Sequence, residues 1–183
     1  MQVIPVNKQT LPFMQSLYKE SFPRSERKPF SLLLEKQKEG IAELLILGDQ
    51  PEKAPLGLMI TLADPKSDIV LLDYFAVSSH GRGRGTGTQA LALFRERYAG
   101  KRLLLEIERL DSSAPNAEER QRRKQFYLRN DFTETGIFVR VFGVEMELLT
   151  NRSPLSFSEY VHLYENTMGK LQTRLLHITD IST

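Results

Sequence analysis

Cysteine is absent from the sequence, and histidine occurs only three times in 183 residues. The absence of cysteine excludes a disulfide, a thiolate nucleophile and a thiolate metal site. The histidines, His80, His162 and His177, are scattered and lack the spacing of metal ligands. We therefore expect no metal in the functional site.

The sequence also lacks long apolar runs and a strong charge of either sign. Its apolar runs are far shorter than the ~20 residues that a membrane-spanning helix needs. The N-terminal residues 1–5 have neither the basic nor the apolar region of a signal peptide. We expect a cytoplasmic protein that does not bind a membrane. The formal net charge of +2 is too small to favour nucleic-acid binding through overall charge.

What is present is typical of one globular domain, with 40% hydrophobic and 26% charged residues. A boundary near residues 150–153 divides an expected domain at 1–150 from a C-terminal segment at 151–183. In that segment Ser156 and Glu159 have the spacing of a capping box, and apolar residues follow at intervals of three and four. This pattern predicts one long amphipathic helix, packed on its own domain or at a dimer contact. The chain is then a monomer or a homodimer.

The most informative stretch lies near the middle of the chain. Residues Ile69–Ala76 are almost all apolar, β-branched or aromatic, which predicts a buried strand, and helical spacing of apolar residues begins at Ala90. Between them stand Gly81, Arg82, Gly83, Arg84, Gly85 and Gly87. A glycine-rich turn before a helix exposes backbone N–H groups at the positive end of the helix dipole. We therefore expect this turn to bind a phosphate or pyrophosphate.

Two common phosphate motifs do not fit this turn. A dinucleotide fingerprint needs G-x-G-x-x-G, but Thr86 and Thr88 stand where its third glycine would be. The P-loop string G-x-x-x-x-G-K-[ST] does not occur in the chain. A surface turn without a ligand is the simpler alternative, but the strand and the helix on its two sides favour a binding loop.

The spacing Arg-Gly-x-Gly-x-Gly from Arg82 to Gly87 resembles the acetyl-coenzyme A (acetyl-CoA) pyrophosphate loop of the GCN5-related N-acetyltransferase (GNAT) family. Residues 72–77 resemble the fourth strand of that family, and residues 123–132 resemble its "FYxxxGF" helix end. The resemblance implies an α+β fold with a mixed, mostly antiparallel sheet flanked by helices. The predicted elements through residue 150 have the order β-α-α-β-β-β-α-β-α-β-β, which is compatible with it.

The resemblance also implies a set of coenzyme-binding residues, namely Phe75, Ala76, Val77, Arg82, Gly83, Arg84, Gly85, Thr86, Gly87 and Thr88. The backbone N–H of Val77 would polarise the thioester carbonyl. Tyr127 would donate a proton to the leaving thiolate, and its alternative role is that of a core aromatic. Asp131 replaces the usual glycine after the helix, but aspartate tolerates the left-handed conformation, so we expect the turn to be kept.

Acetyl transfer to an amine also needs the amine in its neutral form. An amine with the pKa of lysine, ~10.4, is mostly protonated near neutral pH, and a positioned carboxylate can take its proton. Glu106 and Glu108 lie on one face of a predicted strand. The resemblance implies Glu106 as the base. Glu108 and Asp73 are alternatives. A further alternative has no catalytic role for the glutamates, which would lie on a solvated strand face or pair with the basic helix beside the strand.

The sequence therefore predicts an N-acetyltransferase that moves an acetyl group from acetyl-CoA directly to a primary amine of a small molecule or a protein. A non-catalytic acyl-CoA-binding or sensory module on the same fold is the alternative. The acceptor is not identifiable. The charged connector with Glu26 and Arg27 is either a wall of the acceptor pocket, as in the family, or a solvated linker.

A nucleic-acid site is a further alternative, because basic residues cluster on the last predicted helix of the domain. The cluster consists of Arg120, Arg122, Arg123 and Lys124. Glu118 and Glu119 stand beside it, and no aromatic residues are interleaved with it, so we expect no nucleic-acid partner.

Overall fold

The computed structural model describes residues 1–48, 54–141 and 143–182. The chain divides into two compact units. The first contains Met1–Ala63 and Leu72–Gly100, and the second contains Asp64–Leu71 and Lys101–Thr183. The strand Ile69–Val77 (β4) contributes residues to both units.

The first unit contains the strands β1 (Gln2–Pro5), β2 (Ala42–Gly48) and β3 (Gly57–Ala63), followed in the sheet by the Leu72–Val77 part of β4. The β1–β2 and β2–β3 pairs are antiparallel. Its helices are α1 (Leu11–Ser21), α2 (Phe30–Lys38) and α3 (Thr86–Arg97), and two short 3-10 turns span Arg24–Glu26 and Ser79–Gly81. Fully buried side chains from the helices and strands form its core, among them Met14, Leu33, Leu44, Met59 and Phe94.

Helix α1 ends where the sequence predicts. Pro23 disfavours the helical conformation of the residue before it, and Phe22 is extended, with φ −125° and ψ 134°. The connector that follows, residues 23–29, therefore leaves α1 at a fixed point and leads to α2.

The second unit begins its sheet with the first residues of β4, which pair in parallel with β5 (Arg102–Glu108) from Ile69–Arg102 to Leu71–Leu104. The strands β7 (Val144–Thr150), β6 (Thr133–Val141) and β8 (Thr179–Asp180) follow in that order, all antiparallel. Its helices are α4 (Ala117–Leu128), α5 (Phe157–Met168) and α6 (Lys170–Leu175). The predicted element order through residue 150 and the mixed, mostly antiparallel sheet are confirmed.

The C-terminal segment differs from the predicted single helix in two respects, the first of which is the short strand β8, which pairs with β6. The segment also contains two helices instead of one, because Gly169 has φ +92° and interrupts the helical path. Leu171 and Leu175 are 67% and 64% exposed as a result, although their spacing continued the apolar stripe. The capping box at Ser156 and Glu159 is present as predicted. No helix in the described ranges is long and apolar enough to cross a membrane.

Candidate active site

The glycine-rich turn lies between β4 and α3 in the first unit, as predicted. Gly83 and Gly85 have φ values of +73° and +71°, in the left-handed region that glycine tolerates best. The turn is anchored at its start, because the amides of Gly81 and Arg82 donate to the Ser78 carbonyl over 2.9 and 3.2 Å. A Cβ atom at Gly81 would lie 2.7 Å from the Leu56 carbonyl oxygen, so this position needs glycine as well.

The turn presents donors and positive charge to solvent. Residues 82–85 are exposed, and the Arg82 Nε donates to the Val77 carbonyl over 3.3 Å. Helix α3 has no side-chain cap at Gly85 and no acidic residue in its first turn. Its first helical bond runs from the Gln89 amide to the Gly85 carbonyl, so the amides of residues 86–88 have no acceptor within the helix. These donors, the helix dipole and the two arginines fit a diphosphate group.

At the end of β4 next to the turn, the main-chain groups of successive residues point alternately toward β3 and away from it. The Ser78 amide donates to the Leu56 carbonyl, and a Cβ atom at Gly57 would lie 2.4 Å from the Ala76 carbonyl oxygen. Both observations place the even-numbered main-chain groups toward β3. The N–H and C=O of Phe75 and Val77 therefore point away from β3. This is the orientation that main-chain pairing with an extended ligand requires.

Glu106 lies on β5 in the second unit, where two tyrosines of α5 hold it. The Tyr160 and Tyr164 hydroxyls each donate to the Glu106 Oε1 over 2.8 Å. Both tyrosines are buried, with 0% and 2% exposure, and their rings are in edge contact at 5.3 Å. The predicted base is therefore a carboxylate of fixed orientation.

Glu108, the second carboxylate on this strand, pairs with α4. The Arg120 Nη2 lies 2.8 Å from its Oε1, and the Arg123 Nη1 lies 2.9 Å from its Oε2. Asn116 adds a longer contact of 3.3 Å to each oxygen. Both oxygens of Glu108 are thus engaged by cations, which makes it a weaker candidate for a base than Glu106.

The other basic residues of α4 are also paired with acids. Arg122 lies 3.5 Å from Glu118, and Lys124 lies 2.8 Å from Glu147 Oε2 and also pairs with Glu134. The positive charge of this helix is thus balanced by neighbouring carboxylates.

Tyr127 lies in the last turn of α4, half-buried beside the rings of Phe126 and Phe132. Burial raises the pKa of its phenol to about 12, although the nearby Arg123 charge opposes the shift. The phenol therefore carries its proton at neutral pH, and the raised pKa makes it a weaker acid than an exposed tyrosine. Asp131 has φ +63°, so aspartate does adopt the left-handed turn after this helix.

Asp73, the reserve candidate, lies on β4 in the first unit and pairs with Lys28 of the connector. The Lys28 Nζ lies 2.6 Å from the Asp73 Oδ1, and the two side chains are 10% and 4% exposed. The connector, which the sequence left open between a pocket wall and a solvated linker, thus makes a buried contact with the strand that precedes the turn.

The structure brings together the residues of the strand, the turn and Asp73 in the first unit, and Glu106, Glu108 and Tyr127 in the second. Sequence reasoning missed Lys28, Tyr160 and Tyr164. The two tyrosines had a detectable signal, because hydroxyl groups four residues apart on an apolar stripe need a buried polar partner. Lys28 had none, since its partner is 45 residues away in the sequence.

No family model and no curated protein sequence matches the chain. Solved structures do match, with low sequence identity. A protein from Bacteroides thetaiotaomicron, described as an acetyltransferase of the GNAT family, is 23% identical with a TM-score of 0.74, over 92% of this chain and 99% of its own. Spermidine N-acetyltransferase from Vibrio cholerae, solved with CoA and spermine, is 13% identical with a TM-score of 0.61, over 81% and 93%.

An aminoglycoside 6'-N-acetyltransferase solved with coenzyme A is 14% identical, with a TM-score of 0.59 over 85% of this chain and all of its own. These likenesses cover between 81% and 92% of this chain and at least 93% of each neighbour. The chain has the fold of the GNAT acetyltransferases.

Proposed function

We propose that this protein is an acetyl-CoA-dependent N-acetyltransferase that transfers the acetyl group directly to a primary amine. The observation that carries the proposal is the turn at residues 82–88, which is exposed at 82–85 and leads into the uncapped N-terminus of α3. Two proteins of the same fold were solved with coenzyme A, which supports the same ligand here. Acetyl-CoA supplies the acetyl group as a thioester.

In this proposal the turn and the strand hold the coenzyme. Arg82, Arg84 and the amides of residues 86–88 bind the pyrophosphate. The main chain of Phe75, Ala76 and Val77 lies along the pantetheine arm, and the Val77 N–H, which points away from β3, polarises the thioester carbonyl. Preorganised donors of this kind need no rearrangement when negative charge develops on that oxygen.

The amine must lose a proton during the transfer. An amine of pKa ~10.4 is neutral about once in a thousand molecules near pH 7.4, so forming the neutral amine costs about 4 kcal/mol. Glu106 is the proposed base. The two phenol donors on its Oε1 fix its orientation, which keeps the carboxylate in one position between turnovers. Tyr127 is the proposed acid for the leaving thiolate.

A second candidate function is binding of an acyl-CoA without catalysis. This function needs the turn but not the base or the acid. The two candidate functions therefore differ in whether Glu106 and Tyr127 take part in proton transfer.

The experiment that tests the proposal has two measurements. Thermal shift with CoA reports binding of the coenzyme, and release of free thiol from acetyl-CoA with a panel of amines reports transfer. We expect both. CoA stabilisation without thiol release for any amine of the panel would favour the binding module, and no CoA stabilisation would contradict both functions.

A further inference from the structure

The connector after α1 is fixed to the rest of the first unit by two tyrosine hydroxyls. The Tyr74 hydroxyl donates to the Glu26 carbonyl and accepts from the Lys28 amide, each over 2.9 Å. The Tyr18 hydroxyl donates to the Lys28 carbonyl over 3.0 Å. Both main-chain polar groups of Lys28 are therefore held, one from β4 and one from α1.

The same tyrosines form an aromatic cluster beneath the connector. Tyr18 and Tyr74 are in edge contact at 4.8 Å, and Phe22 lies 4.9 Å from Tyr74 and 5.6 Å from Tyr18. The Lys28 Nζ lies 5.3 Å from the centroid of the Tyr74 ring, within cation–π range. The aromatic cluster and the main-chain bonds together point the Lys28 side chain at Asp73.

One carboxylate oxygen of Asp73 accepts a hydrogen bond, and the other does not. The Oδ1 accepts from Lys28, whereas the Oδ2 is buried and has no hydrogen-bond partner among the described residues. A buried carboxylate oxygen without a donor is unfavourable, so such an oxygen is a place where a ligand donor is expected. The other two carboxylates considered above accept from tyrosines or arginines instead.

The position of Asp73 on β4 is suitable for contact with a bound reactant. The residue as a whole is partly exposed although its side chain is 4% exposed, so solvent reaches its main chain. Asp73 is two residues before Phe75, which is about 7 Å along a strand. Because alternate residues direct their main-chain groups to the same edge, the N–H and C=O of Asp73 face away from β3, as those of Phe75 do. That is the edge proposed above to pair with the coenzyme.

We propose that Asp73 and Lys28 bind the acceptor's primary amine in its neutral form, with an amine N–H donating to the Asp73 Oδ2. This inference rests on the proposed function and names how its acceptor is held. Asp73 contacts the acceptor, and Lys28 is a positioning residue. The Lys28 ammonium already balances the Asp73 charge, and a second cation beside it is disfavoured, so the neutral amine is preferred over the ammonium ion.

The neutral form is the one that reacts, because its nitrogen lone pair is free. When the nitrogen bonds to the acetyl carbon and the carbon–sulfur bond breaks, the nitrogen loses a proton to the proposed base and the thiolate gains one from the proposed acid. Among the described residues, Tyr18 from α1 and Tyr74 from β4 are titratable groups that contact the pair formed by Asp73 of β4 and Lys28 of the connector. Burial, together with Tyr74, raises the pKa of Tyr18, which stays uncharged over the range tested below.

The test uses two probes that share a butyl chain, n-butylamine and the permanent cation butyltrimethylammonium. The melting temperature is followed against probe concentration, with and without saturating CoA. For the natural chain we expect butylamine to bind about tenfold more tightly for each unit of rising pH between about pH 7 and about pH 9, because the neutral fraction rises by that factor. Butyltrimethylammonium has no N–H and should not bind.

Three variants distinguish the roles. Asp73→Asn should lose the butylamine response. Lys28→Met should keep the butylamine response but lose its dependence on pH, because the butylammonium ion can then take the place of the lysine ammonium beside Asp73. Glu43→Gln is the matched control, since it removes another ion-paired carboxylate of the same unit, and it should behave as the natural chain does. If Asp73→Asn does not fold, the double variant with Lys28→Met removes both charges and takes its place.

The inference is overturned if butylamine does not bind the natural chain, if the quaternary probe binds equally well, or if the Asp73 variant keeps the pH-dependent response. These results are separable from the proposed function. If CoA binds and thiol is released, but the Asp73→Asn variant behaves as the natural chain does, this inference alone is removed. Butylamine binding without any CoA stabilisation would keep the amine site and remove the acetyltransferase.

Discussion

The Tyr164 hydroxyl donates to the Glu106 Oε1 over 2.8 Å, which joins the C-terminal helix α5 to strand β5 across 58 residues of sequence. The Tyr160 hydroxyl donates to the same oxygen. The carboxylate proposed as the base is thus held by a part of the chain that follows the predicted catalytic domain. Its orientation depends on how α5 packs.

Glu106→Gln should keep CoA binding and lower turnover by about 10²–10⁴-fold, the usual contribution of a general base. The amide oxygen can still accept both phenols, so the melting temperature should change little. Thiol release and CoA thermal shift measure the two effects. Glu43→Gln is the control, since that carboxylate pairs with Arg97 and has no proposed role in the transfer. Unchanged turnover in Glu106→Gln would transfer the role to Asp73, to Glu108 or to water alone.

Gly85→Asp should abolish stabilisation by CoA while the protein stays folded. The substitution places a side chain and a negative charge where the pyrophosphate is proposed to bind, at a residue with φ +71°. Gly100→Asp is a matched control, because Gly100 also has a positive φ of +86° and open space around it but lies after α3. Retained CoA stabilisation in Gly85→Asp alone would show that the turn is not the binding loop.

Tyr127→Phe should lower turnover less than Glu106→Gln does. A thiol of pKa ~8.5, by analogy with cysteine, leaves moderately well without a proton donor. The ring and its contacts with Phe126 and Phe132 remain, so the melting temperature should be nearly unchanged. Tyr98→Phe controls for loss of another phenol whose pKa burial raises to about 12. Early melting together with normal turnover would make Tyr127 a structural residue.

Arg102→Gln should lower stability at neutral pH and matter less in acid. The Arg102 hydrogen bonds lower the pKa of both Asp68 and Glu159. Carboxylates with lowered folded-state pKa stabilise the protein above their unfolded values, about 3.9 and 4.3, and lose that contribution as pH falls through the folded values. The gap in melting temperature between the two proteins should narrow below about pH 4. Arg122→Gln, at an exposed pair, should show no such gap.

The turn at residues 82–88 was predictable from sequence because its determinants are local. Glycines at left-handed positions, arginines and a helix start lie within a few residues of one another. The environment of Glu106 was not predictable, since it depends on which carboxylate the hydroxyls of Tyr160 and Tyr164 reach after α5 packs.

Two further features fell outside sequence reasoning for different reasons. Gly169 stands in a continuous apolar stripe, and glycine within a helix is common enough that the pattern hides its positive φ. The Lys28–Asp73 pair joins a polar connector to an apolar strand. Neither residue has a local pattern that indicates the other.

The hydrogen bonds between α5 and β5 have a consequence for shortened forms of the chain. A gene ending after Thr150 would encode every element that matches the predicted domain, yet it would lack Tyr160 and Tyr164 over Glu106, and Glu159 beside Arg102. The surface that the buried side chains of Tyr160 and Tyr164 cover would then meet water, and such fragments tend to aggregate. A shortened form of this chain must therefore keep α5.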